Sequence, residues 1–388
     1  MISRRAFTAG LCTCLSSALT ACVTHETGPT TGMADVPAGY RPNLATDEAG
    51  LWLQLDKAER EVKASQTRIR DKAINQLISG MMCRLSGDHC GDIRSYVMRV
   101  PVFNALCAPN GMVQVFSGLL LRSGSESQVA AVLGHEYGHF LKRHSLARMR
   151  DARDRGTFLA FFSLAAGANA NNLAAILSQW GQTHFSRENE READALGLQL
   201  MANAGYDPFA AAEMWKRIIK EAEAGGVEEH FSVFTASHPS TSERIETLTK
   251  MAEELGRPKN PAPDRLAEAV APIRGMLLSD EINVGHFKQT EKLFNLLLAD
   301  GRNPGEVLHY KGELYRRRGA DGDEAIALGH YHDACEGVGA PAESFRAVGL
   351  IRWRRGEKEQ AREYFSRYLA VKPEAGDREM IKSYLTGA

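Results

Sequence analysis

The sequence predicts a mainly α protein of the α+β class, with a small β-sheet in its first half and helical repeats in its second half. Apolar residues recur at helical spacing through most of the chain. Two segments, residues 93–100 and 111–116, instead alternate roughly as strands do. Near the C-terminus two triplets share one internal spacing and lie 34 residues apart, a period typical of tetratricopeptide-like helix pairs: Ala327/Tyr331/Ala334 and Ala361/Phe365/Tyr368.

Length and composition indicate two domains and exclude one class of partner. The chain has 388 residues, of which 44% are hydrophobic and 24% charged, ordinary values for a protein with a full core. Its formal net charge is -1. Phosphate backbones are bound by clustered Lys and Arg, which this balance does not supply, so we expect no nucleic-acid partner.

The N-terminus carries the pattern of an export signal. Arg4 and Arg5 precede an apolar run, residues 6–21, that is too short to span a bilayer comfortably but has the length of a signal-peptide core. The run ends in Leu-Thr-Ala-Cys at Cys22, which resembles a bacterial lipobox. We therefore predict a lipoprotein signal peptide over residues 1–22, with lipid attached to Cys22.

The segment after Cys22 predicts how the protein is held. Residues 23–47 are polar and turn-rich, as expected of a flexible tether, so the lipid anchor would be the sole attachment to a membrane. Val23 in place of Asp favours the periplasmic face of the outer membrane over the inner membrane or the soluble periplasm. An ordinary signal peptide with an incidental Cys, and export through the twin-arginine route, are the open alternatives.

Export would place the chain in an oxidising compartment, where disulfides form. Cys83 and Cys90 enclose a short turn-rich segment, and we expect a disulfide between them. A Cys/His metal cluster with His89 is the competing interpretation. Two further cysteines have no predicted partner, Cys107 and Cys335.

Helical spacing of apolar residues predicts one long helix from Asp47 to about Ser79. The two strand-like segments follow it, so a small sheet is expected just ahead of the most informative motif. A second helix is predicted over residues 174–204, ending before the stop signal Tyr-Asp-Pro at 206–208.

The most informative motif is H-E-x-x-H at residues 135–139. On a helix, the four-residue spacing puts His135 and His139 on one face, where both imidazoles can bind one metal ion. A metal ion lowers the pKa of bound water to about 7, and Glu136 can accept the proton that the water loses. This chemistry is typical of metallopeptidases. Surface decoration of an amphipathic helix is the alternative, so a third ligand is needed.

Acidic residues of the helix over 174–204 supply candidates for that ligand. Glu190 and Asp194 lie four residues apart on one face. Glu190 would bind the metal, while Asp194 would accept a hydrogen bond from a ligand histidine and so orient it. Glu188 and Glu192 are alternatives on other faces, and a solvated acidic run would explain all four residues without a metal.

A Pro-rich linker, residues 255–264, separates this region from the repetitive helices of residues 265–388. Gly312 with Tyr315, and Gly349 with Phe365, occupy matching positions in successive repeats. Such repeats bury their faces by stacking and usually present a groove to a partner. A plain helical bundle that covers the first domain is the alternative.

Three motifs in order resemble one family: H-E-x-x-H at 135–139, the segment 186–194 with Glu190 and Asp194, and His-Pro-Ser at 238–240 followed by Arg244. They are similar to the zinc metallopeptidases that include CAAX prenyl proteases and HtpX. The resemblance is closest to the periplasmic branch of β-barrel assembly-enhancing proteases. It implies a helical zincin-type metallopeptidase domain over residues 48–254, before the tetratricopeptide-like domain.

The resemblance also implies roles for individual residues. One Zn²⁺ per chain would be bound by His135, His139 and Glu190, with Glu136 as the general base. Asp194 and Arg244 would support the ligands. His238 would face the metal, where it either stabilises the oxyanion or occupies the fourth coordination position and keeps the enzyme latent; the alternative is that it only caps a helix.

A strand is implicated in substrate binding by the same resemblance. Four residues, Met112, Val113, Gln114 and Val115, are expected to form an edge strand that pairs with an extended polypeptide. The expected function is a zinc-dependent endopeptidase of the bacterial cell envelope that cleaves misfolded or stalled proteins, with an envelope protein bound through the repeats. The alternative is a non-catalytic or latent chaperone or assembly scaffold that acts through those repeats.

Overall fold

The computed structural model describes residues 35–150, 185–225, 238 and 242–386. The predicted signal peptide with Cys22 lies outside these residues, as do residues 23–34 of the predicted tether. Helices form most of the described chain, together with one small sheet, and the mainly α fold class is confirmed. Within the same residues, no helix combines the length and apolar character that crossing a membrane requires.

The prediction of one N-terminal helix was wrong, because the structure has two, α1 (Asp47–Ala64) and α2 (Lys72–Ser86). The chain between them runs along the sheet instead: the Ile69 N–H donates to the Val97 carbonyl at 2.8 Å. Asp71 then caps α2 by accepting from the Ile74 N–H. Apolar period alone does not reveal such a break, since both helices bury their apolar residues.

A three-stranded sheet follows, built from β1 (Arg94–Met98), β2 (Ala105–Cys107) and β3 (Met112–Phe116). The strand order is β1-β3-β2, with β3 parallel to β1 and antiparallel to β2. A disulfide joins Cys83, in the last turn of α2, to Cys90 in the short 3₁₀ helix (Gly87–Asp92) that follows.

The strand order contradicts the predicted substrate strand. Residues Met112, Val113, Gln114 and Val115 belong to β3, which is paired on both sides and fully buried. A central strand has no free backbone edge for another polypeptide. The edge strands are β1, along which residues 67–69 form hydrogen bonds, and β2, which the sequence did not predict because Ala-Leu-Cys is too short to show alternation.

Helices carry the rest of the first region: α3 (Ser117–Arg122), α4 (Glu126–Leu141), α5 (His144–Arg150), α6 (Arg187–Asn203), α7 (Phe209–Gly225) and α8 (Ser242–Leu255). Ser125 caps α4 by accepting from the Gln128 N–H. Ser186 caps α6 in the same way, so this helix begins at Arg187 and the predicted start near residue 174 was wrong.

The helices α4 and α6 cross at backbone contact. A Cβ atom placed on Gly197 would lie only 2.7 Å from the His135 nitrogen and 2.8 Å from the Gly134 carbonyl carbon. Only glycine permits this approach. The close crossing brings the acidic side chains of α6 against the histidines of α4.

Seven more helices follow: α9 (Leu266–Val284), α10 (Phe287–Ala299), α11 (Pro304–Arg318), α12 (Asp323–Glu336), α13 (Ala342–Arg354), α14 (Lys358–Val371) and α15 (Arg378–Thr386). One hydrophobic core reaches from Val36 through Leu314 and so includes α9 and α10. A second core begins at Tyr315 and ends at Ile381. The change between cores therefore falls in α11, whereas the domain boundary at residues 255–264 stays a prediction.

The second core is built from paired helices. A Cβ on Gly312 of α11 would lie 2.5 Å from the Tyr331 ring on α12, and a Cβ on Gly349 of α13 would lie 2.6 Å from the Phe365 ring on α14. The same glycine-to-aromatic contact thus recurs in two successive helix pairs. Close packing at these points lets the rings fill the space between the helices.

Candidate metal centre

Four buried side chains converge between α4 and α6. They are His135, His139, Glu190 and His238, and one potential ligand atom from each lies within 4.8 Å of all the others. Among the described residues, this is the group of potential metal-ligand side chains whose donor atoms lie this close to one another. The two sequence motifs that were 51 residues apart in the chain, at His139 and Glu190, therefore share one site.

The distances within this group fit a metal ion. The Nε2 atoms of His135 and His139 are 3.1 Å apart. Glu190 approaches both, with Oε2 3.5 Å from the His135 Nε2 and Oε1 3.5 Å from the His139 Nε2. A tetrahedral site with bonds of about 2.0–2.1 Å separates its ligand atoms by about 3.4 Å. These three side chains would hold the ion.

The chemistry of the donors also fits a cation. The His135 Nδ1 lies 2.9 Å from the Asp194 Oδ1 and donates to it, because a carboxylate can only accept. A neutral His135 then presents a lone pair at Nε2. Arg244 in turn donates to both oxygens of Asp194, each at 2.7 Å, and fixes that carboxylate. The predicted supporting pair, Asp194 and Arg244, therefore lies directly behind one ligand.

The ionisation of the ligands is set by burial and by their neighbours. Burial lowers the pKa of His139 well below its usual range, so its imidazole is neutral and able to bind metal. Burial opposes ionisation of Glu190, but His238 and His139 outweigh it and lower the pKa of that carboxyl. The same balance lowers the pKa of Asp194, where hydrogen bonds from His135 and Arg244 overcome burial. Burial lowers the pKa of His135 too, but Asp194 and Glu190 outweigh it and raise that pKa, so a cation bound at its Nε2 would replace a proton there.

Glu136 lies beside the ligands and is only 5% exposed. Its Oε1 has no hydrogen-bond partner in the described part of the chain, and the His238 Nε2 lies 3.3 Å from it as an ion-pair contact. Burial raises the pKa of Glu136. A buried carboxylate with a raised pKa and an unused oxygen beside a metal site is suited to accept and return a proton.

His238 completes the group of four. Its Nδ1 lies 3.1 Å from the His135 Nε2 and 2.8 Å from the Glu190 Oε1. It therefore reaches the position that a fourth ligand would occupy, while its other nitrogen faces Glu136. His238 is described without its neighbours 239–241, so the predicted helix-capping role falls outside the described residues.

Two neighbours of His139 were not predicted. Phe185 stacks on its ring at 3.9 Å between centroids. His144 places its Nδ1 2.9 Å from the His139 Nδ1, and Glu192 accepts from the His144 Nε2 at 3.0 Å. Glu192 was an alternative metal ligand in the sequence analysis, but in the structure its carboxylate accepts a hydrogen bond from His144. The available signal in the sequence was that His144 follows His139 by five residues, but this spacing does not put two side chains on the same face of a helix.

The remaining predicted residues lie elsewhere. Glu188, the other alternative ligand, is exposed at the start of α6. His89 bonds the Val36 carbonyl at 2.8 Å, which leaves the Cys/His cluster without support, since its two cysteines form a disulfide. Cys107 and Cys335 are free and buried thiols.

The sequence of this region matches a known family. Residues 68–252 match Peptidase family M48, which confirms the predicted resemblance. The matched segment, 185 of the 388 residues, is similar to this family. The match contains the H-E-x-x-H motif, Glu190, Asp194, His238 and Arg244.

Several curated proteins are similar to this chain. It is 35% identical over 160 residues to the Mitochondrial metalloendopeptidase OMA1 of Schizosaccharomyces pombe, which covers 41% of this chain and 46% of that protein. It is 27% identical over 272 residues to the Putative beta-barrel assembly-enhancing protease of Vibrio cholerae, covering 66% and 55%. For the Beta-barrel assembly-enhancing protease of Escherichia coli the identity is 28% over 178 residues, covering 42% and 36%. The matched regions span about a third to a half of these relatives.

Proposed function

We propose that this chain is a zinc-dependent endopeptidase of the bacterial cell envelope that cleaves misfolded or stalled envelope proteins. The observation that carries the proposal is the arrangement around α4: the His135 and His139 imidazoles and the Glu190 carboxylate converge, and the Glu136 carboxylate lies beside them with one oxygen that has no hydrogen-bond partner among the described residues. Relatives named as metalloendopeptidase and as beta-barrel assembly-enhancing protease support it.

Zinc is the metal we propose, one ion per chain, because two imidazoles and a carboxylate with an open fourth position form a typical catalytic zinc site. When bound, zinc supplies Lewis acidity to the scissile carbonyl and to water. Glu136 accepts a proton from the attacking water and returns it to the amine that leaves. Asp194 keeps His135 oriented throughout, and Arg244 keeps Asp194 ionised and in place.

An extended polypeptide is the proposed substrate, and β2 is the proposed place for it. The Phe116 N–H donates to the Asn104 carbonyl, and the Ala108 N–H donates to the Met112 carbonyl. Backbone groups alternate in direction along an antiparallel strand, so those of Ala105 and Cys107 point away from β3. They form the unpaired edge of β2, which packs on α4. Its three residues are at most 4% exposed, so an extended polypeptide would pair there once this edge is uncovered, and it would be recognised by its backbone rather than by its sequence.

The free edge can be tested with one backbone change. The Ala105→Pro substitution removes an outward N–H without removing a hydrogen bond of the sheet, so KM for casein should rise while zinc content stays unchanged. Leu106→Pro is the contrasting variant, because the Leu106 N–H pairs with β3 and its loss should destabilise the sheet. An unchanged KM in folded Ala105→Pro would remove β2 from the proposal.

The C-terminal helices are proposed to form tetratricopeptide-like repeats that bind an envelope partner. The repeated contacts Gly312 to Tyr331 and Gly349 to Phe365 support the repeat interpretation. We further propose lipid attachment at Cys22 and residence at the periplasmic face of the outer membrane. Labelled fatty acid should enter the wild-type chain but not Cys22→Ser when both are expressed in a Gram-negative host; equal labelling would contradict the anchor.

Glu136→Gln is the experiment that tests the catalytic proposal. It keeps the side-chain size but removes the base, so casein cleavage should fall by about 10²–10⁴-fold while zinc content and fold are retained. Glu188→Gln, an exposed residue of α6, provides the same charge change away from the site. Undiminished cleavage by Glu136→Gln would contradict the assigned base.

A latent enzyme or scaffold is the second candidate, favoured by the approach of His238 to the other ligands. If His238 occupies the fourth position, His238→Ala should raise basal cleavage of casein. If it stabilises the oxyanion, the same substitution should lower cleavage. No change would contradict both roles, and a zinc-loaded wild type that never cleaves, even with His238→Ala, would favour the scaffold.

A further inference from the structure

The two histidine ligands are supported from behind in different ways. The His135 Nδ1 meets one buried acceptor, Asp194, at 2.9 Å. The His139 Nδ1 meets a second imidazole, that of His144, also at 2.9 Å, and the far side of His144 lies 3.0 Å from Glu192. Asp194 is 7% exposed, whereas the Glu192 side chain is 51% exposed. His139 is thus connected to solvent through a two-link chain.

The hydrogen-bond donors along this chain can be counted. A carboxylate only accepts, so the His144 Nε2 must carry a proton toward Glu192. A neutral His144 then has a lone pair at Nδ1, and the facing His139 Nδ1 must be the donor. His139 is left with its lone pair at Nε2, the atom that faces His135 and Glu190.

The opposite arrangement would abolish metal binding by His139. If His144 carried its proton on Nδ1, it would donate to the His139 Nδ1, and the proton of a neutral His139 would sit on Nε2. That nitrogen could not bind a cation. The Glu192 carboxylate selects against this arrangement, because it has no proton to offer the His144 Nε2.

We propose that His144 and Glu192 are positioning residues that hold His139 in the tautomer able to bind metal. The inference rests on the proposed metal site, and it adds His144 and Glu192 to the residues on which that site depends. Phe185 stacks on the His139 ring and limits its rotation, so the tautomer rather than the ring orientation is what the chain controls. Outer partners of this kind typically change metal affinity by about 10–100-fold.

The decisive comparison is His144→Asn with His144→Leu in the full chain. Asn places an amide oxygen near the position of the His144 Nδ1 and can accept from His139, whereas Leu has similar bulk but no acceptor. Zinc affinity of the metal-free proteins is measured by titration against a chromophoric chelator. We expect His144→Leu to bind zinc about 10–100-fold more weakly than wild type, and His144→Asn to recover most of that loss.

The melting temperature of each metal-free variant separates positioning from packing. His144 is buried, so a purely structural role would lower that temperature in both variants and leave the zinc affinity of the folded fraction unchanged. Equal zinc affinity in His144→Asn and His144→Leu would overturn the proposal.

Glu192→Ala and Glu188→Ala test the outer link, since both remove one carboxylate from the first turns of α6. Water can replace the half-exposed Glu192 in part, so we expect about a 3- to 10-fold loss of zinc affinity for Glu192→Ala and none for Glu188→Ala. Equal affinities would remove Glu192 from the proposal.

Zinc binding is the readout, so the inference can fail separately from the enzymatic function. A wild type that binds zinc but cleaves nothing would contradict the peptidase proposal and leave the positioning chain testable. A wild type that binds no zinc at His135, His139 and Glu190 would overturn both.

Discussion

The interior around the metal centre and the interior of the C-terminal helix pairs are built from different side chains. In the first, Glu190, Asp194 and Arg244 are buried together as an ion-paired group. In the second, rings such as Tyr331 and Phe365 fill the space, and Asp323 is the one acidic side chain that is buried among the described residues from Tyr315 to Ile381. One interior is organised by charge, the other by apolar packing.

Buried ion pairs recur in the first region, as where Arg122 pairs with both Glu221 and Glu281 across α3, α7 and α9. Removing charges from water costs several kcal/mol per ion, which mutual attraction offsets only with well-formed hydrogen bonds. Apolar packing has no such requirement. The region around the metal centre is therefore less stable than an apolar interior of the same size would be, but its charges are already in place to bind a cation. Substitutions that remove a charge should alter the stability and metal affinity of this region, whereas substitutions that alter apolar packing should affect the helix pairs.

The largest effect is expected where the backbones of α4 and α6 touch. Gly197→Ala adds a Cβ 2.7 Å from the His135 nitrogen, so the helices must separate at a cost of about 1–3 kcal/mol, and zinc affinity should fall with stability. Gly80→Ala on α2 is the matched control, because its Cβ would meet no atom within 4 Å. Calorimetry and zinc content measure both effects. Identical behaviour of the two variants would show that the close crossing is not needed.

An effect mainly on metal binding is expected for Asp194→Asn, because Glu190 still pairs with the buried Arg244 and limits the loss of stability. The amide keeps the shape of the side chain but no longer supplies the negative charge that His135 and Arg244 both contact. Zinc affinity should fall by about 10–100-fold, or about 1.4–2.7 kcal/mol. Asp333→Asn, at an exposed position of the second region, should leave it unchanged. Unchanged zinc binding by Asp194→Asn would mean that His135 needs no oriented partner.

Acid should weaken the charge-organised region first. Arg94 and Tyr96 hydrogen-bond Glu59 and, against the effect of burial, lower its pKa to about 2 from 4.5. A lowered folded-state pKa contributes stability above the unfolded value, and this contribution is lost as pH falls from about 4.5 to about 2. Because Arg94 is one-third exposed, we expect a loss on the order of 1–2 kcal/mol.

Denaturant unfolding between pH 6 and pH 3 measures this loss, and Glu59→Gln should flatten the pH dependence. Emission from a chain that keeps Trp353 and has its other three tryptophans replaced by Phe reports on the second core, and far-ultraviolet circular dichroism reports on all the helices. Equal acid sensitivity of wild type and Glu59→Gln would assign the effect to other carboxyls.

The smallest effect is expected in the apolar region. Gly349→Ala adds a Cβ 2.6 Å from the Phe365 ring, and the ring can shift in part, so stability should fall by about 1 kcal/mol with zinc affinity unchanged. Gly329→Ala on α12 faces open space and should be neutral or stabilising. A loss of zinc affinity in Gly349→Ala would contradict the separation of the two regions.

Local sequence was sufficient for the parts of the fold and site that depend on nearest neighbours. The four-residue spacing put His135 and His139 on one face of a helix, and the same spacing put Glu190 and Asp194 on another, because helical geometry alone decides this. The predicted export to an oxidising compartment and the short turn-rich segment between Cys83 and Cys90 indicated a disulfide between them, and the structure contains this bond. Periodic glycines and aromatics indicated the helix pairs.

Everything that depends on which element lies beside which was decided by tertiary packing. Alternation marked Met112–Phe116 as a strand but could not say that it lies between two others, since strand order is set by pairing partners distant in sequence. The chain from Glu192 through His144 to His139 exists because α4 and α6 cross at Gly197, and no spacing within one helix encodes a contact between two. Local geometry thus gave the candidate ligands, the family resemblance selected among them, and the crossing of the helices determined which side chains contact them.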